Sequence, residues 1–241
     1  MPFSFSASTP AEQRQELRSI IAGDIIVSTQ APDGHPLRDT HALTLSAKAC
    51  VAAGTPAIRC GGYGGIADIT SIGDAVDVPI FGLTKEGDSG VYITPTVASV
   101  KAVADAGAAV VCADATERPR PDGSSTKDLV KAAHESGALF MADCDTAANG
   151  IAAYEAGADI VSSTLSGYTP ATEHLDGPDL DFISTVRNEV GEEPLLIAEG
   201  HYHSPDAVKD ALQRGANAVI IGSAITDPRW LTGFYRSEIR K

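Results

Sequence analysis

Basic residues are scarce in this chain: 18 lysines and arginines stand against 32 aspartates and glutamates, a formal net charge of −14. Nucleic acids and acidic membranes are both held by basic surface, so neither is expected as a partner. An anionic ligand would need a local positive site set against the overall field. Cysteine is also scarce. The four, Cys50, Cys60, Cys112 and Cys144, form no Cys-x-x-Cys pair, and without a secretory context a disulfide framework is not expected. Cys60, Cys112 and Cys144 lie in or beside apolar runs and read as small buried hydrophobes. No apolar run is long enough to span a bilayer. The stretch from Met1 to Gln13 lacks the basic start and apolar core of a secretion signal, so a cytoplasmic protein is expected.

What the chain does have is a recurrence. A helix-like stretch ends in glycine, one or two small residues follow, and a short apolar run begins. This happens at Gly54, Gly107, Gly137, Gly157 and Gly215. Glycine just past a helix end takes the left-handed conformation that other residues resist. The runs that follow show no polar/apolar alternation, which marks strands covered on both faces, as in parallel sheets. Eight such strands are expected, at 24–29, 57–60, 79–84, 109–113, 139–142, 159–164, 195–198 and 218–221. Helical stretches such as 97–106, 125–136, 147–156 and 205–214 lie between them. Alternation of β and α implies a parallel sheet. Eight units in 241 residues favour a closed (β/α)8 TIM barrel over an open doubly wound sheet. Residues 10–22 are expected to add an N-terminal helix. No linker interrupts the chain, so one barrel domain is expected over residues 1–241.

Barrel active sites lie at the C-terminal ends of the strands. Reading round that rim gives Gln30, Arg59, Lys85, Asp114, Asp143, Thr164, Glu199 and the Gly222-Ser223 pair. Seven polar ends are hard to explain as packing alone, although some could cap helices or pair with one another. The acids Asp114, Asp143 and Glu199 could hold a divalent cation. A lysine in the same ring would oppose it, so no metal is expected. His201 and His203 resemble a metal-binding His-x-His pair but lack a third nearby ligand; a solvated loop is the expectation. Gly200, and Gly222 with Ser223, follow the last two strands. Barrels often bind phosphate in these two loops through backbone N–H groups and a short helix. Thr226-Asp227-Pro228 is expected to start that helix.

Four stretches make the chain recognisable: Tyr92-Ile-Thr-Pro-Thr96, Asp114-Ala-Thr-Glu-Arg-Pro-Arg-Pro121, Thr164-Leu-Ser-Gly-Tyr-Thr169 and Ala198-Glu-Gly200. Met141-Ala-Asp143 and Gly222-Ser-Ala-Ile-Thr226 support them. From about Gly23 to Tyr235 the chain resembles the bacterial N-acetylmannosamine-6-phosphate 2-epimerase family. The resemblance implies a (β/α)8 barrel and no cofactor. It implies interconversion of N-acetylmannosamine 6-phosphate and N-acetylglucosamine 6-phosphate in sialic-acid catabolism. Lys85 then matches the family's catalytic lysine, and Glu199 its partner carboxylate. Gln30, Arg59 and Asp143 match substrate-contacting positions, and Thr164 joins them from the rim. Two positions depart from the family: Asp227 stands where it usually has arginine, and His201 where it often has arginine or lysine. Arg229, two residues on, is the candidate to replace the missing cation. The family tends to self-associate, which makes a homodimer possible. The apolar stripe Trp230, Leu231, Phe234 and Tyr235 is nevertheless expected to pack on its own barrel.

Epimerisation at carbon 2 removes and returns a proton beside the open-chain aldehyde. It needs a base, a donor for the oxygen that gains charge, and proton return on the opposite face. An amine serves as base only when its pKa falls from about 10.4 toward neutrality. Two other functions would retain the same residues: a Schiff-base phosphosugar aldolase built on Lys85, and a non-catalytic sensor of amino-sugar phosphates.

Overall fold

Each expected glycine does break a helix and admit a strand. Gly107 and Gly157 sit at φ of 97° and 102°, where an L side chain would be strained. The computed structural model describes residues 2–240. Among them the chain runs through α1 (Pro10–Ile21), β1 (Asp24–Thr29), α2 (Thr40–Ala52), β2 (Ile58–Cys60), α3 (Gly65–Ala75), β3 (Ile80–Gly82), α4 (Val97–Asp105) and β4 (Val110–Asp114). It continues through α5 (Thr126–Glu135), β5 (Leu139–Asp143), α6 (Ala147–Glu155), β6 (Ile160–Ser162), α7 (Leu180–Val190) and β7 (Leu195–Glu199). It ends with α8 (Pro205–Gln213), β8 (Ala218–Ile221), α9 (Ser223–Thr226) and α10 (Pro228–Glu238).

All eight strands pair in parallel and in chain order, and β8 returns to β1, where Asp24 faces Ala218 and Val27 faces Ile221. The sheet is therefore a closed barrel with no free edge. β3 and β6 are shorter than the sequence suggests. Thr84 leaves the sheet to form a hairpin with Thr94, and Ser163 turns away into a loop held to Glu199.

Two apolar layers hold this arrangement. One lies between strands and helices and includes Val27, Ile69, Val100, Leu129, Phe140 and Phe182. The other fills the barrel with Ile26, Phe81, Val110, Leu139, Ile160 and Ile220. Cys60, Cys112 and Cys144 are buried in these layers as free thiols. The extra helix α1 starts on a capping box, with Thr9 and Glu12 satisfying each other's backbone N–H groups. It closes the N-terminal end of the barrel, where Leu17 and Ile21 are fully buried against the interior layer. Arg18 ties it to the carbonyls of Glu192 and Glu193 just before β7. Leu17→Ala would leave a cavity under the barrel, and we expect it to lower unfolding free energy by about 2–5 kcal/mol. Urea denaturation would measure this, and a change below about 1 kcal/mol would contradict α1 as a packed plug.

No helix among the described residues is long and apolar enough to cross a membrane. The C-terminal stripe packs on its own barrel only in part: Trp230 lies against His203, with ring centres 4.5 Å apart. α10 packs on α9 and buries none of its residues. Trp230 stacks on Phe234 at 5.3 Å between ring centroids, while Phe234 and Tyr235 remain exposed.

Candidate active site at the open end of the barrel

The C-terminal ends of the strands open into a cavity of about 400 Å³ lined by Gln30, Arg59, Lys85, Thr164 and Glu199. Gly200, Gly222 and Ser223 line it as well. Eight of the ten sequence-predicted site residues are thus brought to one place.

Lys85 is carried there by the hairpin that follows β3. Its backbone N–H donates to the Gly62 carbonyl at 2.7 Å, and Lys85 pairs with Ile93 in an isolated antiparallel bridge. Thr94, buried and at a φ of 43°, clamps the hairpin: its Oγ1 accepts from the Thr84 N–H at 3.1 Å. The Lys85 ammonium lies 3.2 Å from the Tyr63 hydroxyl and 4.4 Å from the centre of its ring. Gln30 approaches from β1 and donates to Ser28 Oγ at 2.9 Å. A Cβ at position 62 would fall 1.9 Å from Gln30 Oε1, so a larger residue there would push the Gln30 side chain aside.

Arg59 is buried and bound to Asp143 through two guanidinium N–H donors, at 3.1 and 2.7 Å. This fork-to-fork pairing is the strong form of the interaction. A third contact links Arg59 Nη1 to Glu199 Oε2 at 3.3 Å. Burial works against the Arg59 charge, but Asp143 and Glu199 hold it protonated above the ordinary guanidinium value. Glu199, at the end of β7, is pushed up to about 7. Burial is the main cause; Arg59 opposes it and Asp143 adds to it. The Thr164 hydroxyl stands 2.8 Å from both Asp143 Oδ1 and Glu199 Oε2.

Four expectations need correction. Asp143 is wholly buried behind Arg59 and is not part of the cavity wall. Both of its carboxylate oxygens accept from the arginine. Asp114 does not reach the cavity either. It is turned into its own loop, paired with Arg118 and accepting from the Thr116 hydroxyl at 2.7 Å. Arg229 is exposed on the first turn of α10, outside the cavity wall, so it supplies no cation there. Thr226-Asp227-Pro228 starts α10, not the short helix. Gly222 stands at the N-terminus of that short helix, α9. The N–H groups of its first residues have no partner within the helix. Asp227 has its own structural explanation. Burial would raise its pKa, but the Trp230 N–H and His35 outweigh that and hold it below the ordinary carboxylate value. It caps α10 through that N–H at 2.9 Å and pairs with His35 at 3.2 Å.

Sequence reasoning missed the aromatic rim. Tyr63, Tyr92, Tyr168, His201 and His203 all line the cavity. Tyr168 and His201 stack with ring centres 4.8 Å apart. Tyr92 and Tyr168 stood in the recognisable stretches and His201 with His203 in a His-x-His pair, but nothing there marked them as one wall; Tyr63 lies in a Gly-Gly-Tyr-Gly-Gly loop after β2. Among the described residues no group of His, Cys, Asp or Glu side chains is placed to hold a metal ion.

Comparison with known proteins adds to this geometry. The sequence model of the family described as "Putative N-acetylmannosamine-6-phosphate epimerase" matches residues 43–241. A protein of Corynebacterium glutamicum strain R named "Putative N-acetylmannosamine-6-phosphate 2-epimerase" is 57% identical over 93% of this chain and 97% of its own. One of the same name from Cutibacterium acnes is 40% identical over 91% and 95%. The solved structure of the N-acetylmannosamine-6-phosphate 2-epimerase from Clostridium perfringens superposes with a TM-score of 0.86 at 34% identity, covering 92% of this chain and 96% of that one.

Proposed function

Because the chain belongs to the N-acetylmannosamine-6-phosphate epimerase family, we propose that it interconverts N-acetylmannosamine 6-phosphate and N-acetylglucosamine 6-phosphate. The reaction takes the proton from carbon 2 and returns it on the other face. The observation that carries this reading is the meeting of an amine, Lys85, and a carboxyl group titrating near neutrality, Glu199, in one cavity. Acid/base catalysis works best when such a group titrates near the working pH. No electron changes hands in the reaction, so its chemistry calls for no redox cofactor.

Lys85 and Glu199 are the acid/base pair of this proposal. Gln30 reaches a sugar hydroxyl or the N-acetyl group, and the phosphate lies against the backbone N–H groups around Gly200, Gly222 and Ser223. Arg59, which lines the cavity, contacts the sugar near its reacting end and, held by Asp143, also positions Glu199. The rival aldolase and sensor readings have no support from the family. The acidic charge of −14 favours a small-molecule substrate over nucleic acid or membrane. The exposed apolar face of α10 favours a homodimer.

Incubation with either epimer tests the reaction. Approach to one common mixture from both sides is the expected result. A covalent adduct trapped by borohydride, with no second epimer formed, would replace it with Schiff-base chemistry on Lys85.

A further inference from the structure

The hydroxyl of Thr164 touches three oxygens. Asp143 Oδ1 and Glu199 Oε2 are each 2.8 Å away, and Ser162 Oγ is 2.9 Å away. A hydroxyl has one proton to donate and two lone pairs to accept with. It cannot donate to two carboxylates at once. Two short contacts to carboxylate oxygens therefore require one carboxyl to bring its own proton.

The ion pair decides which. Asp143 accepts an N–H donor from Arg59 on each oxygen, so it serves as an acceptor, and each oxygen keeps a second lone-pair site. Arg59 and Asp143 together are neutral. An ionised Glu199 would add a second negative charge to a largely buried site whose one contacting cation, Arg59, is already shared with Asp143, which is costly. A protonated Glu199 leaves each bond with one donor. Thr164 gives its proton to Asp143 and accepts from Ser162 and from Glu199.

We propose that Thr164 is a positioning residue that fixes the resting proton on Glu199, so that Glu199 enters the reaction as the acid. The acid role rests on the reaction proposed above; the location of the proton does not. In the forward step Lys85 takes the carbon-2 proton. The C–H pair becomes the bond between carbons 1 and 2, the carbonyl pair moves to oxygen 1, and oxygen 1 takes the Glu199 proton. A proton returns from the Lys85 ammonium to the other face of carbon 2, the carbonyl re-forms, and oxygen 1 gives its proton back to Glu199. Glu199 also faces Arg59 from β2, Lys85 from the β3 hairpin, Cys112 from β4, Asp143 from β5 and Tyr168 from the loop after β6. Of these only Arg59 is a cation in direct contact with it.

The sign of one substitution tests this. If Thr164 accepts from the protonated Glu199, Thr164→Val removes a bond to the neutral acid, and the Glu199 titration moves down. If Thr164 donates to an ionised Glu199, the same change moves it up. Carbon NMR of labelled glutamate, with Glu199 assigned by the loss of its signal in Glu199→Gln, reads the midpoint in the ligand-free protein. We expect a parent midpoint above the ordinary carboxylate range, lower by about one pH unit in Thr164→Val, as fits one hydrogen bond, and restored in Thr164→Ser. A midpoint that stays or rises overturns the proposal. Should Thr164→Val not fold, the parent alone decides: a protonated-carboxyl infrared band at pH 6, absent in Glu199→Gln, supports the assignment, and its absence overturns it. In turnover, kcat/KM should fall as pH rises through the Glu199 midpoint, because the acid is lost, and that limb should move down with Thr164→Val. A downward NMR shift in a protein that does not epimerise would support the proton assignment and overturn the reaction.

Discussion

Lys85→Ala is expected to lower turnover by about three orders of magnitude or more while the fold stays intact. Removing a positioned general base or acid commonly costs 10²–10⁴-fold, and here the amine is held in the cavity by a clamped hairpin rather than by its own side-chain packing. The backbone bonds that place it, from Lys85 N to Gly62 O and from Thr94 N to Thr84 O, survive the change. The side chain gives up a contact with the half-exposed Tyr63, which bears little on stability. Melting temperature should therefore stay within a few degrees. Steady-state kinetics and a thermal melt on the same sample check both halves. Turnover near the parent level would remove Lys85 from the mechanism.

Arg59→Leu should instead damage the fold. The substitution leaves Asp143 buried behind it with no cation, and breaking one side of a buried ion pair costs about 3–5 kcal/mol. That is a large share of the 5–15 kcal/mol that stabilises an ordinary domain. A second consequence separates this from loss of packing volume. Arg59 opposes protonation of Glu199, so its removal moves the Glu199 titration further up. The sign for stability follows. Glu199 binds its proton more tightly folded than unfolded, so its contribution is complete at low pH and is lost as pH rises through the folded midpoint. In Arg59→Leu that loss moves to higher pH. Denaturation across a pH series would show it, and an unchanged profile with full stability would mean that Arg59 and Asp143 are not the paired core of the site.

The barrel was legible in the sequence because its repeated signal is local. A helix ends at glycine and an apolar strand follows, so Gly107 and Gly157 mark unit boundaries without any knowledge of the fold. The site was legible to the extent that a barrel turns strand ends into neighbours. Gln30, Arg59, Lys85, Thr164 and Glu199 are gathered by that rule alone, and all five line the cavity. What side chains do after a strand ends depends on contacts far apart in sequence, and there the reading failed. Asp114 was taken from the rim by Arg118 in its own loop. Arg59 and Asp143, 84 residues apart, chose each other. Asp227 looked like a lost cation and is a helix cap. Tyr168 and His201 come together only because the loops after β6 and β7 meet. The α10 stripe is covered by the barrel only at Trp230, because an amphipathic pattern says that a face wants cover, not what covers it.

The most direct test of the account is proton NMR of the purified protein with N-acetylmannosamine 6-phosphate in deuterium oxide. Conversion to the gluco epimer with deuterium at carbon 2 is the predicted result, since the account has that proton leave and return. Conversion that keeps protium at carbon 2, or no conversion by a folded protein that binds the sugar phosphate, would contradict it.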